Sequence, residues 1–271
     1  MKLVIFTHMT NPEERMDPWK EALDCYEYFS DEIVIVGKDW PYEFKWDHIG
    51  KVFQEGFDKS TGDWVINLAT DMIFHENDID KLKSELIKHN DHPAVVFPKF
   101  KFFSYKRCEF KTFDTWAINK KKYPNVKFNG GGDLCLATLE GKILDQTNVP
   151  IVNVPLWNYD TTFRTQEVIM EDRARFARAW FREFNNWNGR GGATPQEAYD
   201  EWIKMVKYRL PNHIIKKEIT QHPVFIQKKL QDLEKEQFGY DCFGLINEYN
   251  PKIKNYFNFL KTKIKYPTVK I

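Results

Sequence analysis

Asp71 directly follows a short apolar segment that is typical of a buried strand. Gly62 and Asp63 form a turn, and the apolar run from Trp64 to Leu68 comes after it. In open α/β sheets, ligands bind beyond the carboxyl ends of the strands, and a hard divalent cation that holds a nucleotide diphosphate prefers carboxylate oxygens. The sequence therefore predicts a metal or diphosphate site at Asp71, with a helix-capping aspartate as the alternative.

The segments on either side of Asp71 alternate between strand and helix. Apolar runs predict strands over residues 3–6, 33–36, 64–68 and 94–97. Apolar residues at helical spacing predict a helix that starts at Asn11, with Pro12 in its first turn, and runs to Ser30. Two further helices are expected around residues 49–57 and 79–86. This alternation is typical of a parallel, nucleotide-binding sheet.

The pattern changes after the first hundred residues. Short strand-like runs and glycines predict an antiparallel, loop-rich region over residues 98–155. From Thr165 the spacing predicts a long helix to Trp187, a second helix opened by a capping box at Thr194 and Glu197, and a third over residues 223–237. We therefore expect a sheet-containing domain over residues 1–164, and a helical C-terminal extension over 165–271 that packs on it and ends in a loosely held, Lys-rich dozen residues.

Composition and charge limit the class of protein. The 271 residues are 42% hydrophobic and 16% aromatic, which fits a globular chain with one large domain or a domain with an appendage. The net charge is only +1, but residues 204–271 contain 14 Lys and Arg against 6 Asp and Glu. Such a basic segment suits an anionic membrane surface, nucleic acid or a phosphorylated acceptor, and solvated helix faces are the alternative.

Cysteine usage and hydropathy indicate the compartment. The four cysteines include no Cys-x-x-Cys pair, so a zinc site is not suggested and reduced thiols are expected. The apolar run at the amino terminus is too short for a signal peptide, and no segment approaches the roughly 20 apolar residues of a membrane span. We expect a cytoplasmic protein that can meet a membrane only from its surface.

The strand before Asp71 also resembles a known motif. The segment from Gly62 to Asp71 is similar to the metal-binding strand of the GT-A glycosyltransferases, above all family 2. In that family, Gly-Asp-Trp-Val leads through Leu into Asp-x-Asp. Ala69 stands at the position of the first Asp of that motif, so only Asp71 remains. The resemblance covers about residues 1–160. It implies a GT-A fold, with a Rossmann-like nucleotide-binding sheet of mixed strands, and a Mn²⁺ or Mg²⁺ ion on Asp71 that bridges the phosphates of a nucleotide-sugar donor.

The resemblance also implies roles for residues outside this strand. Thr7, at the end of the first strand, and Asp39, after the second, match positions that bind the nucleotide. Asp160 matches the place of a late metal ligand, with Asn158 as the alternative. Arg164, close behind, is expected to pair with the diphosphate.

Two acids are candidates for the catalytic base. The turn from Gly130 to Gly132 corresponds to one that borders the donor sugar, which puts Asp133 near the sugar or the acceptor hydroxyl. Asp172 matches weakly a Glu-Asp pair that supplies the base in many family 2 enzymes, but its surroundings are also typical of a surface helix with ion pairs. We favour Asp133 over Asp172.

The expected function is therefore glycosyl transfer, hexosyltransferase-like and inverting, from a nucleotide-diphosphate donor, a UDP-sugar by family frequency. The acceptor is an unknown hydroxyl on a glycan, a lipid-linked sugar or a modified nucleic acid. Two alternatives stay open: a catalytically degenerate sugar-nucleotide-binding protein, and a nucleic-acid binder or transferase that uses the basic C-terminal part. The chain has no Gly-x-Gly-x-x-Gly, Walker or Gly-x-Ser-x-Gly motif, so dinucleotide, kinase and serine-hydrolase functions have no support.

Overall fold

The computed structural model describes residues 1–38, 40–111, 116–131 and 135–266. The strands in these ranges are β1 (Leu3–His8), β2 (Glu32–Val36), β3 (Trp64–Asn67), β4 (Met72–Phe74), β5 (Ala94–Val96), β6 (Lys99–Ser104), β7 (Arg107–Lys111), β8 (Trp116–Ile118), β9 (Lys127–Asn129), β10 (Leu136–Leu139), β11 (Lys142–Ile143), β12 (Leu156–Asn158) and β13 (Ile215–Lys216). The helices are α1 (Trp19–Phe29), α2 (His48–Lys59), α3 (Ile79–Lys88), α4 (Gln166–Phe184), α5 (Pro195–Arg209), α6 (Val224–Gln231), α7 (Phe238–Asp241) and α8 (Ile253–Lys265).

The first sheet confirms the expected α/β class with mixed strands. Its order is β2-β1-β3-β8-β5. β1 pairs in parallel with both β2 and β3, whereas β8 runs antiparallel to β3 and β5. The central strands are fully buried, because apolar residues such as Ile5 and Ile66 leave no polar face for solvent.

The second sheet links the middle of the chain to the C-terminal part. Its order is β13-β7-β6-β12-β4, and β12 runs parallel to β6 but antiparallel to β4. β13 comes from the segment that was expected to be purely helical, and it pairs Ile215 with Cys108 of β7. A third, small sheet has the order β11-β10-β9.

The C-terminal helices pack on the sheet-containing part. The ring of Phe176 lies 5.2 Å from that of Phe44, and the ring of Trp180 lies 5.2 Å from that of Trp46. One hydrophobic cluster contains residues from both sides of position 164. The capping box at Thr194 is present as predicted, and the helical C-terminal part is confirmed. None of the helices in the described ranges is both long and apolar enough to cross a bilayer.

The predicted start of the first helix at Asn11 is wrong. Residues 11–16 form a turn in which Asn11 and Met16 have positive φ angles of 44° and 55°, and α1 begins only after Pro18. A residue that precedes proline disfavours the helical conformation, so Asp17 ends the turn instead of continuing a helix. The turn projects Arg15 and Asp17 toward the edge of the sheet, where they have a role described below.

Two expectations about the tail also differ from the structure. The predicted helix over 223–237 ends at Gln231, with α7 as a separate short helix. The last dozen residues, which were expected to be loosely held, begin inside α8, which extends to Lys265, and residues 267–271 lie outside the described residues. Most of the apolar residues of α8 lie on its exposed side.

Helix α2 approaches β1 at Gly56, and this contact gives a test of the packing. A Cβ atom at Gly56 would lie 2.4 Å from Cδ2 of the fully buried Phe6. We expect Gly56→Ala to lower the free energy of unfolding by about 1–3 kcal/mol, because overpacking outweighs the gain in helix propensity. Urea unfolding measures this, with Glu55→Ala on the exposed side of the same helix as the control. A Gly56→Ala variant as stable as the control would contradict the described packing.

Candidate functional site

A cavity of about 280 Å³ opens at the carboxyl ends of the parallel strands β1 and β3. Its floor comes from the end of β1 and the turn after β3, and its sides come from α2 and α4. Aromatic and apolar side chains make up much of the wall, including Trp40, Ile49, Phe53 and Phe176. This is the position where open α/β sheets bind ligands.

Hydrogen bonds from Tyr26 hold the turn that carries Asp71. The buried phenol of Tyr26 donates to the backbone oxygens of Ala69 and Met72, at 2.7 and 2.9 Å. The backbone oxygen of Asp71 accepts a hydrogen bond from the N–H of Tyr159, at 2.8 Å. These bonds hold the Asp71 side chain at the cavity, although α1 and β12 are far from it in the sequence.

The carboxylate of Asp71 has an unused oxygen. Oδ1 is buried and has no hydrogen-bond partner among the described residues. Burial first, and then the charges of Asp160 and Asp17, raise the pKa of Asp71 to about 7, against a smaller opposing effect of Arg164. A buried carboxylate without a partner is costly, so this side chain is suited to a cation or a hydrogen-bond donor from a ligand.

Asp160 lies beside Asp71, but its surroundings shift its pKa in the opposite direction. Asn158 of β12 is in register with Met72 of β4, so the residues that flank these two strands are neighbours. The carboxylate of Asp160 is surrounded by three cations: Lys101 at 3.6 Å, Arg173 at 3.5 Å and Arg164 at 3.7 Å. Burial favours the neutral form of Asp160, but Arg173, Lys101 and Arg164 outweigh it and hold the pKa of this carboxyl well below its usual range. Asp160 is therefore ionised.

Asp71 and Asp160 are the two residues predicted to hold a hard divalent cation. Asp71 directly precedes β4, Asp160 follows the antiparallel strand β12, and Asp71 offers a buried oxygen without a partner among the described residues. In the described part of the chain, no group of three or more His, Cys, Asp or Glu side chains converges on a point. Two carboxylates are enough for Mg²⁺ or Mn²⁺ when water and substrate phosphates supply the other ligands.

Next to this pair, two arginines and two aspartates form a closed ring of ion pairs. Asp17 accepts from Arg15 Nε at 3.1 Å and from Arg164 Nη2 at 2.6 Å. Asp172 accepts from Arg15 Nη1 at 2.5 Å and from Arg164 Nη1 at 3.0 Å. The ring joins the turn after β1, the turn after β12 and helix α4. We call these four residues the charge ring.

The charge ring occupies two of the residues that were singled out in the sequence. Arg164 is only 2% exposed, and both of its terminal nitrogens contact ring carboxylates. Both oxygens of Asp172 are bound to arginines; burial raises the pKa of this carboxyl, but Arg15 and Arg164 outweigh it and keep the pKa low. Neither side chain lines the cavity. In this arrangement both side chains position their neighbours.

Of the remaining predicted residues, Thr7 does not line the cavity, and two others lie outside the described ranges. Thr7 is fully buried, and the side chain that reaches the cavity from the end of β1 is His8. Burial, and then Arg15, lower the pKa of His8 to about 4, so its imidazole is neutral at pH 7. Asp39 and Asp133 lie outside the described residues.

The glycine turn packs closely against the chain at Gly131. A Cβ atom on Gly131 would lie 2.0 Å from the backbone oxygen of Trp46, so this glycine allows the turn to touch the chain before α2. Gly130 accepts a hydrogen bond from the N–H of Gly50 at 3.0 Å. The close approach to Trp46 explains the glycine at position 131 without a ligand.

Sequence reasoning missed three charged residues that line the cavity: Arg15, Asp17 and Arg175. Arg15 and Asp17 could have been found, because the segment between β1 and α1 that carries them starts at the same edge of the sheet as Asp71. Arg175 had no such signal. It reaches the cavity from α4, where its guanidinium donates to the backbone oxygens of Tyr42 and Pro41, at 2.6 and 3.2 Å.

Comparison with known proteins identifies no family. No protein-family model and no curated protein matches the chain. Among solved structures, a glycosyltransferase involved in the glycosylation of the major capsid of PBCV-1 is 12% identical, with a TM-score of 0.31, over 45% of this chain and 61% of that chain. The chain thus spans about three fifths of that structure.

A second group of similar structures comes from S. aureus TarS. The 1-349 fragment is 10% identical over 92% of this chain and 90% of that chain, with a TM-score of 0.34. The longer TarS structure is 9% identical over 89% of this chain and 54% of that chain, with a TM-score of 0.38. Likeness at this level does not transfer a site or an activity.

The charge ring predicts a stability effect at Asp172. Asp172→Asn leaves the buried Arg164 and the half-buried Arg15 with a single carboxylate between them. We expect the free energy of unfolding to fall by about 3 kcal/mol, as when one partner of a buried ion pair is removed. Urea unfolding measures the loss, and Glu171→Gln on the exposed side of α4 is the control, with a change within about 0.5 kcal/mol. Equal stability of the two variants would show that the ring is not formed.

The raised pKa of Asp71 predicts a pH-dependent effect on stability. The folded carboxyl keeps its proton up to about pH 7, whereas the pKa of an unperturbed Asp carboxyl is 3.8. Between these values the folded state binds more protons, so this carboxyl costs stability as the pH rises. In a chelator, Asp71→Asn should therefore raise Tm little at pH 4 and increasingly toward pH 7, by roughly 2–4 °C for each kcal/mol recovered. A gain that is independent of pH would contradict the assignment.

Proposed function

We propose that the chain is a glycosyltransferase that binds the diphosphate of a nucleotide-sugar in the cavity beside Asp71, through Mn²⁺ or Mg²⁺ held by Asp71 and Asp160. One observation carries this proposal. A buried carboxylate oxygen without a partner lies next to a second carboxylate, at the carboxyl edge of a parallel sheet. That combination suits a cation, and a cation there suits an anionic ligand.

The cavity has a composition that fits a nucleotide. Trp40 and Phe53 supply aromatic surface for a base, and His8 adds a neutral imidazole. A volume of about 280 Å³ is close to the lower end of ligand pockets, roughly 300 Å³. The bulk of the nucleotide would lie in this cavity, and the sugar and acceptor would lie toward its mouth.

Two groups of charged residues would bind the donor, one through the metal ion and one through its phosphates. Asp71 and Asp160 would hold the metal ion, which neutralises the negative charge that develops on the departing diphosphate. Arg15 and Arg175 line the same cavity and add positive charge on the other side of the ligand. The charge ring holds Arg15 in place, so the phosphates meet a preorganised site.

We propose Asp133 as the catalytic base. Asp172 is not suited to this role, because both of its oxygens are bound to guanidinium groups that keep it ionised and out of the cavity. The base would take the proton of the acceptor hydroxyl as that oxygen attacks the anomeric carbon. The acceptor, a glycan, a lipid-linked sugar or a modified nucleic acid, is not specified by these residues.

A second candidate is a sugar-nucleotide-binding protein without transferase activity. The observation that favours it is Ala69, which lines the cavity with a methyl group where the resembled motif has a carboxylate. Such a protein would keep metal-dependent donor binding and lose turnover.

Calorimetric titration tests the donor site. UDP-glucose, UDP-N-acetylglucosamine and GDP-mannose are titrated into the protein with Mn²⁺, with Mg²⁺ and with a chelator. We expect one of them to bind with metal, and to bind at least about tenfold more weakly in the chelator or with Asp71→Asn, a loss of about 1.4 kcal/mol. Asp63→Asn is the control, because Asp63 lies at the opposite end of β3 and bonds the N–H of Lys2. Equal binding with and without metal, or no binding of any donor, would refute the site.

Release of nucleoside diphosphate from the bound donor separates the two candidates. A transferase hydrolyses its donor slowly with water as the acceptor, and this turnover should disappear with Asp133→Asn while donor binding remains. Metal-dependent binding without any release of diphosphate would select the binding protein instead.

A further inference from the structure

Helix α8 exposes a continuous apolar surface. Its outward residues, which we call the α8 stripe, are between 50% and 79% exposed: Ile253, Tyr256, Phe257, Leu260 and Ile264. They recur at intervals of three and four, which places them on one side of an α-helix. Large apolar side chains are seldom grouped in solvent unless they meet a partner.

The opposite side of α8 anchors the helix to the protein. Asn255 is buried and donates to Oδ1 of Asn212 at 2.6 Å. Phe259 packs against the main hydrophobic cluster, and the buried ring of Tyr266 lies 5.3 Å from that of Phe110. The helix is thus held by one face, and the α8 stripe points away from the body of the molecule.

The charges around the α8 stripe have one sign. The segment from Lys252 to Lys265 contains five lysines and no acidic residue. By helical spacing, Lys254, Lys261 and Lys265 lie along one side of the stripe, and Lys252 and Lys263 lie along the other. Lys254, Lys261 and Lys263 make no ion pair with any residue that the structure describes, so no described carboxylate compensates their charges.

We propose that α8 docks the protein on an anionic lipid surface, with the helix parallel to the membrane plane. The stripe would enter the boundary between headgroups and acyl chains, and the flanking lysines would reach the lipid phosphates. This inference goes beyond the proposed function and does not depend on it, because the stripe is outside the cavity.

Lipid fits this surface better than the other partners do. A nucleic acid would pair with the lysines but leave five large apolar side chains against its phosphates. A second copy of the chain would cover the stripe, but two identical helices would bring their uncompensated lysines together. An anionic membrane satisfies the apolar centre and both basic edges.

Vesicle sedimentation with the full chain tests the inference. We expect the protein to sediment with vesicles of phosphatidylglycerol and phosphatidylcholine, and much less with phosphatidylcholine alone. Phe257→Ser with Leu260→Ser should weaken the binding by on the order of tenfold or more, because it removes the apolar insertion. Lys254→Glu with Lys261→Glu should weaken it similarly, and the wild-type binding should fall at high salt.

Two matched controls keep the test specific. Ile87→Ser removes an apolar side chain that is 61% exposed on α3, and Lys20→Glu with Lys51→Glu changes the net charge as the α8 pair does. Both should sediment like the wild type. Since all the substituted side chains are exposed, thermal unfolding should give similar Tm values for every variant.

Three results would overturn the inference. The first is a wild-type protein that does not sediment with anionic vesicles, or α8 variants that sediment as well as the controls. The second is a dimer in light scattering that the stripe variants abolish without a change in vesicle binding. The third is binding of a DNA duplex that requires the lysines but not Phe257 and Leu260, without binding to vesicles.

Discussion

The charge ring of Arg15, Asp17, Arg164 and Asp172 is the interaction on which the candidate site depends. It joins three segments that are distant in the sequence: the turn after β1, the turn after β12 and helix α4. Buried ion pairs lose much of their Coulomb energy to desolvation. The main effect of the ring is therefore to fix the relative positions of these segments, and its net contribution to stability is secondary. Four mutually satisfied charges permit one arrangement of these segments, and a shift of any segment leaves a buried charge without a partner.

The two carboxylates beside the ring differ because the cations are distributed unevenly. Asp160 takes the neighbouring charges of Lys101, Arg164 and Arg173. Asp71 forms no ion pair of this kind among the described residues, and its pKa rises to about 7. The charge of Asp160 is thus compensated by neighbouring cations, whereas that of Asp71 is not compensated by any ion pair among the described residues. An active site commonly stores such an unfavourable electrostatic arrangement, which ligand binding then relieves.

The C-terminal part is integrated into the molecule in several ways. Helix α4 supplies Asp172 to the charge ring and Arg175 to the cavity wall. β13 extends the second sheet, and α8 combines a packed face with an exposed one. The cavity therefore requires residues from both sides of position 164.

The sequence by itself determined many of the local elements and the position of Asp71 at the edge of the sheet. The buried strands, the capping box at Thr194 and the position of Asp71 after β3 follow from patterns within a few residues, because propensity and hydrophobic spacing are local. The cations around Asp160, the enclosure of Arg164 and Asp172 in the ring, and the participation of Arg15 and Arg175 were decided only by the tertiary structure. A side chain's charge partners depend on which distant segments pack beside it, and burial then sets its pKa and its availability. The exposed stripe of α8 shows the same limit, since helical spacing is identical whether the apolar face points inward or outward.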